Sequence, residues 1–328
     1  MDTLDGPAER SLSEPAAEQF AARVADVAAN IARVIKGKPE VIAQALVCFF
    51  AEGHLLVEDV PGVGKTQLAR ALSASIDADW NRVQFTPDLL PSDVTGVTIF
   101  RQETGKFEFH QGPVFANIVL ADEINRASPR TQAAMLEVME ERQVTVDGTG
   151  HRVPRPFMVI ATQNPIDMDG TYPLPEAQLD RFLMRTSMGY PDLAAELEIV
   201  HGHHHQRPDL APVLSVGDAA AMVAAVDRVH IAPEVSEYLV RVVAATRTMP
   251  DVRLPVSPRG TVGLLRAVKA RALTEARPFV TPHDIKHLVE PVLAHRLVLT
   301  PEAELSGTTA ATVLERAVAA VPVPHGRP

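Results

Sequence analysis

The chain has 328 residues, 46% of them apolar, which is enough to bury a large core and to divide into two domains. Lys and Arg number 31 against 41 Asp and Glu, a formal charge of −10 that disfavours wrapping a polyanion, so nucleic acid is not the expected partner. No apolar run reaches the length of a membrane span, and the opening MDTLDGPAERSLSEP lacks the basic-then-apolar order of a signal peptide; a cytoplasmic protein with no membrane insertion is expected.

Residues 1–15 carry Gly, Pro and Ser without periodicity and read as a flexible tail. From Ala16 to Ile35, Phe20, Val24, Val27, Ile31 and Val34 recur at steps of three and four, which places them on one face of a helix. A second helix is expected from Pro39 to about Gly53. It contains Cys48, the only cysteine, in the apolar run ALVCFF; with no partner for a disulfide, it reads as a small core residue in a reducing compartment. HLLVED then reads as a buried strand and KTQLARALSAS as a helix, with a glycine turn between them.

Farther on, the short apolar runs RVQF, NIVLAD, FMVIAT and MRTSM alternate with helical stretches such as PRTQAAMLEVMEER. That alternation predicts an α/β fold, a parallel sheet covered by helices. After Pro191 every patterned segment has helical spacing, from DLAAELEIVHG to TPHDIKHLVEPVLAHRL, so a smaller all-helical lid domain is expected. The expected division is a nucleotide-binding core over residues 16–205 and a helical lid over 206–328, with QRPDLAPVLS as connector.

The turn Pro61-Gly62-Val63-Gly64-Lys65-Thr66-Gln67 has the parts a triphosphate needs. Gly62 and Gly64 let the backbone curl so that amides point at phosphate, Lys65 reaches the outer phosphates, Thr66 offers a hydroxyl to Mg²⁺, and the helix N-terminus favours the anion. The usual pattern has glycine where this chain has Asp59, a residue more tolerant than most of unusual backbone angles. NIVLADEINRAS ends a buried strand in Asp122 and Glu123, the first suited to Mg²⁺ and the second to polarising a water. FMVIATQNP delivers Asn164 past another strand, suited to hydrogen-bonding that water or the terminal phosphate. Arg181, at the end of the polar helix in LPEAQLDRF, suits stabilisation of a neighbouring subunit's developing charge. In SPRG, Ser257 caps a helix, Pro258 takes its first position and Arg259 lies in its first turn, from where it would contact phosphate on lid closure; Leu264, Leu265, Val268 and Ala272 then face the core.

These stretches together carry a family resemblance over roughly residues 20–300. On IKGKPEVIAQALVCFFAEGHLLVEDVPGVGKT, VLADEINRASPRTQAAMLEVMEERQVTVDG, ATQNPIDMDGTYPLPEAQLDRF and SPRG, the chain resembles the MoxR family of AAA+ ATPases. The resemblance implies that Lys65 and Thr66 belong to Walker A, Asp122 and Glu123 to Walker B, Asn164 to sensor 1, Arg181 to the arginine finger and Arg259 to sensor 2. It places Ile35 and Gly37 beside the adenine, although Lys36 and Lys38 flank them here. It also implies ATP and Mg²⁺ as cofactors, a homo-hexameric ring, and a chaperone role in remodelling a protein client, often with a von Willebrand factor A domain protein. Two hairpins are expected, one in GVTIFRQETGKFEFHQGP around Glu103-Thr104-Gly105 and one in QVTVDGTGHRV.

Two related motors are the alternatives. A DNA-remodelling motor predicts basic hairpins, whereas Arg101 and Lys106 are balanced here by Glu103 and Glu108. A metal-chelatase motor subunit shares the first hairpin and would differ in its partners. A third reading, a binding module without turnover, fits poorly with Glu123 and Arg181 in place. HGHHHQR puts His201 and His205 four residues apart, but no carboxylate or cysteine completes a metal set, and a solvated helix end is expected.

Overall fold

The computed structural model describes residues 12–60, 62–164, 171–202 and 209–324. Helix α1 (Glu14–Ala32) begins with Pro15 in its first turn, inside the stretch expected to be a tail. Leu12, just ahead of it, is buried, and its N–H donates to the Arg228 carbonyl at 3.3 Å. Burial of one apolar side chain and this long-range bond fix the segment, so the tail reading does not hold for residues 12–15. Helix α2 (Pro39–Phe50) follows, then β1 (Leu55–Glu58) and α3 (Lys65–Ser75). Next come β2 (Trp80–Gln84), the short α4 (Pro91–Thr95), β3 (Gly96–Arg101) and β4 (Lys106–Gln111).

The strand β5 (Ile118–Asp122) is buried along its whole length. Helix α5 (Pro129–Glu141) starts at Ser128, whose hydroxyl accepts from the Thr131 N–H, and stops at Arg142, which caps it in the left-handed region at φ 53°. Then follow β6 (Gln143–Val146), β7 (Thr149–Arg152), β8 (Met158–Gln163), α6 (Glu176–Leu179), β9 (Met184–Thr186) and α7 (Leu193–Gly202). Both expected hairpins form, β3 with β4 and β6 with β7. His151 of the second stacks on Phe109 of the first with ring centroids 4.1 Å apart.

The five strands expected in the sheet form it, in the order β2-β5-β8-β1-β9, all parallel. The central strands β1, β5 and β8 are near-continuous apolar runs, as burial on both faces requires. Leu55, Val57, Ile118, Leu120, Met158 and Ile160 enter a core shared with α1, α2 and α3, while Leu56, Val119, Ala121, Val159 and Ala161 enter a second core under α5. Each of the Leu, Val, Ile and Met side chains among them contributes on the order of 1.5–3 kcal/mol by leaving water, and the two alanines less. Cys48 is buried in the first core, and burial pushes its thiol well above the ordinary range, in keeping with its reading as a core residue.

The remaining helices are α8 (Val216–Val226), α9 (Pro233–Ala245), α10 (Pro258–Thr274), α11 (Pro282–Leu293), α12 (Pro301–Leu305) and α13 (Ala310–Ala320). The lid is not wholly helical: β10 (Val252–Leu254) pairs antiparallel with β11 (Val298–Leu299), a two-stranded ribbon too short to leave a periodic signal. Leu264, Val268 and Ala272 of α10 are buried as expected, whereas Leu265 is half-buried. The lid helices share one continuous core with α1 and α2. The expected domain boundary at 205/206 and the part of the histidine cluster beyond Gly202 lie outside the described residues. Among the described residues no helix is long and apolar enough to cross a membrane.

Candidate nucleotide site

The strand order decides what meets at the carboxyl edge of the sheet. Because β8 lies between β5 and β1, Asn164 follows a strand flanked on one side by Asp122 and on the other by the glycine turn. Ligand sites in parallel sheets form at this edge, outside the strand ends. A cleft of about 670 Å³ opens there, lined by Gly62, Val63, Gly64, Lys65, Thr66, Gln67, Asp122, Glu123 and Asn164. Its far wall comes from Ile35 and its neighbours between α1 and α2, and from Met188, Pro191, Glu198 and Ile199 around α7. The volume suits a mononucleotide, with an apolar end and a charged end. Pro61 lies outside the described residues.

Gly62 and Gly64 have φ of 87° and 101°, values that a side chain would strain, and Gly64 caps the N-terminus of α3. Lys65 Nζ donates to the backbone oxygens of Asp59 at 2.6 Å and Val60 at 3.3 Å, so its ammonium is held inside the turn. Burial lowers its affinity for the proton, and Asp59, Asp122 and Glu123 pull in the opposite direction. Gly37 does not line the cleft; at φ 68° it allows close approach of Ala195, whose Cβ would be 2.8 Å from a side chain there. It thus seats α7 over the end of the cleft formed by Ile35. Lys36 pairs with Glu198 of α7 at 3.5 Å, and Lys38 Nζ donates to the Tyr190 carbonyl at 2.7 Å. The two lysines that flank the expected adenine segment therefore tie it to the opposite wall.

Asp59 does not have the left-handed backbone that glycine supplies in the usual pattern; it is absent from the positive-φ residues. Its carboxylate instead accepts from Ser187 Oγ at 2.8 Å, from the Gly189 N–H at 2.6 Å and from the Val60 N–H at 2.8 Å. Burial would raise its pKa, but these bonds outweigh it and hold the carboxyl below the usual range. The side chain anchors the start of the turn to the segment after β9. The departure from the glycine pattern was the sequence signal for such an anchor, but its partners, about 130 positions away, were not readable.

Asp122 and Glu123 are fixed by residues that sequence reasoning missed. Thr162 Oγ1 donates to Asp122 Oδ1 at 2.6 Å and accepts from the Glu123 N–H at 2.8 Å. Arg82 Nη2 donates to Asp122 Oδ2 at 2.6 Å, while Glu123 Oε2 accepts from Gln84 Nε2 at 3.1 Å and Arg126 Nη1 at 2.9 Å. Glu123 stands in the left-handed region at φ 56°, an uncommon conformation for a side-chain-bearing residue and one that turns it off the strand direction. Thr66 and Asp122 present hard oxygen donors that fit a magnesium ion. No cluster of three or more His, Cys, Asp or Glu side chains among the described residues would enclose a metal unaided. A divalent ion here would therefore take part of its shell from phosphate and water.

The two arginines are elsewhere. Arg181 lies just past the end of α6, its N–H donating to the Gln178 carbonyl, and Arg259 lies in the first turn of α10. Both reach Glu140 of α5: Arg181 Nε donates to Oε2 at 2.9 Å, and Arg259 Nη2 pairs with Oε1. Neither lines the 670 Å³ cleft; they line a separate one of about 360 Å³ between core and lid. In this arrangement α10 packs against α1 and α2, and Glu140 holds Arg259 away from the residues that line the larger cleft.

Residues 54–184 match the ATPase family associated with various cellular activities (AAA), and residues 244–317 match an AAA lid domain. The chain is 49% identical to YeaC of Bacillus subtilis over 300 residues, covering 91% of this chain and 94% of that one. It is 41% identical over 307 residues to chaperone MoxR1 of Mycobacterium tuberculosis, covering 90% and 81% of the two chains. A crystal structure from Cytophaga hutchinsonii superposes with a TM-score of 0.88 at 35% identity, over 94% of this chain and 97% of that one. A glycine turn and paired carboxylates at the edge of a five-stranded parallel sheet, a helical lid and these likenesses lead to one assignment: the chain belongs to the MoxR family of AAA+ ATPases.

Proposed function

We propose that the protein hydrolyses MgATP at a site shared between neighbouring copies in a homo-hexameric ring. In this reading it works in the cytoplasm as a chaperone whose lid movements remodel a protein client or a von Willebrand factor A domain partner. The observation that carries the shared site is a separation. The triphosphate-binding residues and Glu123 converge on one cleft, while Arg181 and Arg259 stand together at another, so neither arginine serves its own nucleotide in this arrangement.

Each residue then has a role set by its place. Lys65 and the amides around Gly62 and Gly64 bind the phosphates, and Gln67 lies in the same helical turn as Thr66. Thr66 and Asp122 hold magnesium, which when bound neutralises phosphate charge. Glu123, released from Gln84 and Arg126, orients and deprotonates the attacking water, and Asn164 fixes that water against the terminal phosphate. Ile35 packs beside the base, with Gly37 allowing α7 to close over it. Arg181, with Arg259, stabilises charge on the terminal phosphate of the next subunit.

The test mixes two inactive proteins, Lys65→Ala and Arg181→Ala. Arg181→Ala is expected to keep its nucleotide affinity within about two-fold and to lose roughly 10³-fold in turnover. Mixing should restore part of the ATPase rate, because a Lys65→Ala subunit can lend its arginine to an intact pocket. A mixture no more active than its separate components refutes the shared site. The client is sought by capture on a Glu123→Gln protein loaded with ATP, compared with the same protein loaded with ADP.

A further inference from the structure

One carboxylate serves both arginines. Glu140 stands at the end of α5 in the core, Arg181 also belongs to the core, and Arg259 belongs to the lid, so the triad ties the first turn of α10 to α5. The cleft beside it is lined by five guanidiniums, from Arg142, Arg181, Arg259, Arg266 and Arg296, against three carboxylates, from Glu52, Glu140 and Asp180. These groups are not equally available. Arg296 is almost wholly buried, with Nε on Asp180 Oδ1 at 2.7 Å and its other nitrogens on the backbone carbonyls of Asp180, Phe182, Leu183 and Val292. Arg142 and Arg266 grip Glu52, whose side chain is only 17% exposed. The Glu140 carboxylate is 35% exposed and the Arg259 side chain 44%, so this triad meets solvent, as Arg266 does at 37% beside Glu52.

We infer that Glu140 is a positioning residue that acts as a latch. It holds Arg181 and Arg259 side by side in the unassembled subunit, and it yields them to the terminal phosphate of the nucleotide on a second copy of this chain. The inference rests on the shared site proposed above. A terminal phosphate offers two guanidiniums more oxygens and more negative charge than a carboxylate does, so it is the stronger partner once it arrives. Arg259 cannot keep its bond to Glu140 while turned toward that phosphate. Capture of the neighbour's nucleotide and the tie between α5 and the start of α10 therefore exclude one another. Glu52 with Arg266, and Asp180 with Ser257 and Arg296, keep the rest of the lid seated. The neighbour's triphosphate is therefore read as loss of the ion pair between α5 and α10, while Ser257 stays on Asp180 and keeps the cap of α10 against the core.

The experiment measures self-association of the full chain by sedimentation, with a non-hydrolysable ATP analogue or with ADP, for the parent and for Glu140→Gln. Removing the competing charge is expected to lower the protein concentration at half-assembly about five-fold with the analogue, the scale of one exposed ion pair, and to leave the ADP value unchanged. Glu140→Asp, which keeps the charge on a shorter arm, is expected to shift it in the same direction by less; it decides the question if a thermal melt shows that Glu140→Gln does not fold. An unchanged or higher half-assembly concentration, or an equal gain with ADP, overturns the latch. If Arg181→Ala assembles with the analogue as the parent does while its mixture with Lys65→Ala regains activity, the latch fails and the shared site stands; if the mixture regains none, the shared site itself fails, whatever the Glu140 variants do.

Discussion

The nucleotide cleft and the arginine face are both polar clefts at the ends of secondary structure, yet they are assembled differently. The cleft takes its groups from one turn and adjacent strand ends, where each chemical group sits within a residue or two of a buried apolar run. The arginine face takes its groups from α5, from the segment after α6 and from α10, joined by ion pairs across core and lid. Rigid strand ends hold the first, so it is preorganised for chemistry. Paired, partly exposed side chains hold the second, and such pairs exchange partners at small cost, which suits a surface that must open to another molecule.

If that contrast is right, the largest effects belong to the cleft. Lys65→Ala should abolish measurable ATP binding in a fluorescent-nucleotide titration while leaving the melting transition close to the parent's. Glu123→Gln should keep binding and lower phosphate release by roughly 10²-fold or more, since general-base assistance is of that order. Equal phosphate-release rates in Glu123→Gln and the parent would reject the assignment of the site.

At the core–lid seam the expected effect is on stability. Glu52→Ala strands Arg142 and Arg266 and should cost about 3 kcal/mol, read as a lower urea midpoint. A midpoint within error of the parent would show that the seam does not depend on this carboxylate. Acid should weaken the same region in two steps. His54 is buried, with Nε2 on the Met139 carbonyl and Nδ1 accepting from the Val159 N–H, and burial pushes its pKa down to about 4. Between the ordinary histidine value and about 4 the unfolded chain binds the proton that the folded one refuses, so stability falls as pH drops through that window, by up to about 3 kcal/mol. Glu52 and Asp284 have lowered pKa values; burial opposes this, but their arginine partners prevail, so their contribution is present above the ordinary carboxylate range and is lost below it. Urea midpoints for the parent and His54→Gln across pH 7 to 4.5 isolate the histidine step, the variant giving the flatter curve.

The smallest effect should come from the anchor of the glycine turn. Asp59→Asn loses charge-assisted bonds to Ser187 and Gly189 and should weaken nucleotide binding by about 1–2 kcal/mol. Unchanged affinity would place the anchoring elsewhere.

What could be read in the residues follows from range. Helix and strand periodicity, the glycine turn ahead of Lys65 and the carboxylates at the end of a buried run are short-range patterns, fixed by backbone geometry and burial within a few positions. They foretold the five strands, both hairpins and the charged half of the cleft. Thr162, Arg82 and Gln84 were not legible beside Asp122 and Glu123, because only the order β2-β5-β8-β1 brings those strands edge to edge. The ribbon of β10 and β11 joins segments some 45 residues apart, each too short to show a period.

The amino-acid sequence by itself determined the fold class and the type of chemistry, because apolar spacing and a helix-starting glycine turn act locally. Only the tertiary structure decided that Arg181 and Arg259 meet on Glu140, away from their own chain's cleft. The packing of α10 on α1 and α2 sets that meeting, and contacts between faces more than 200 residues apart depend on the summed complementarity of many side chains.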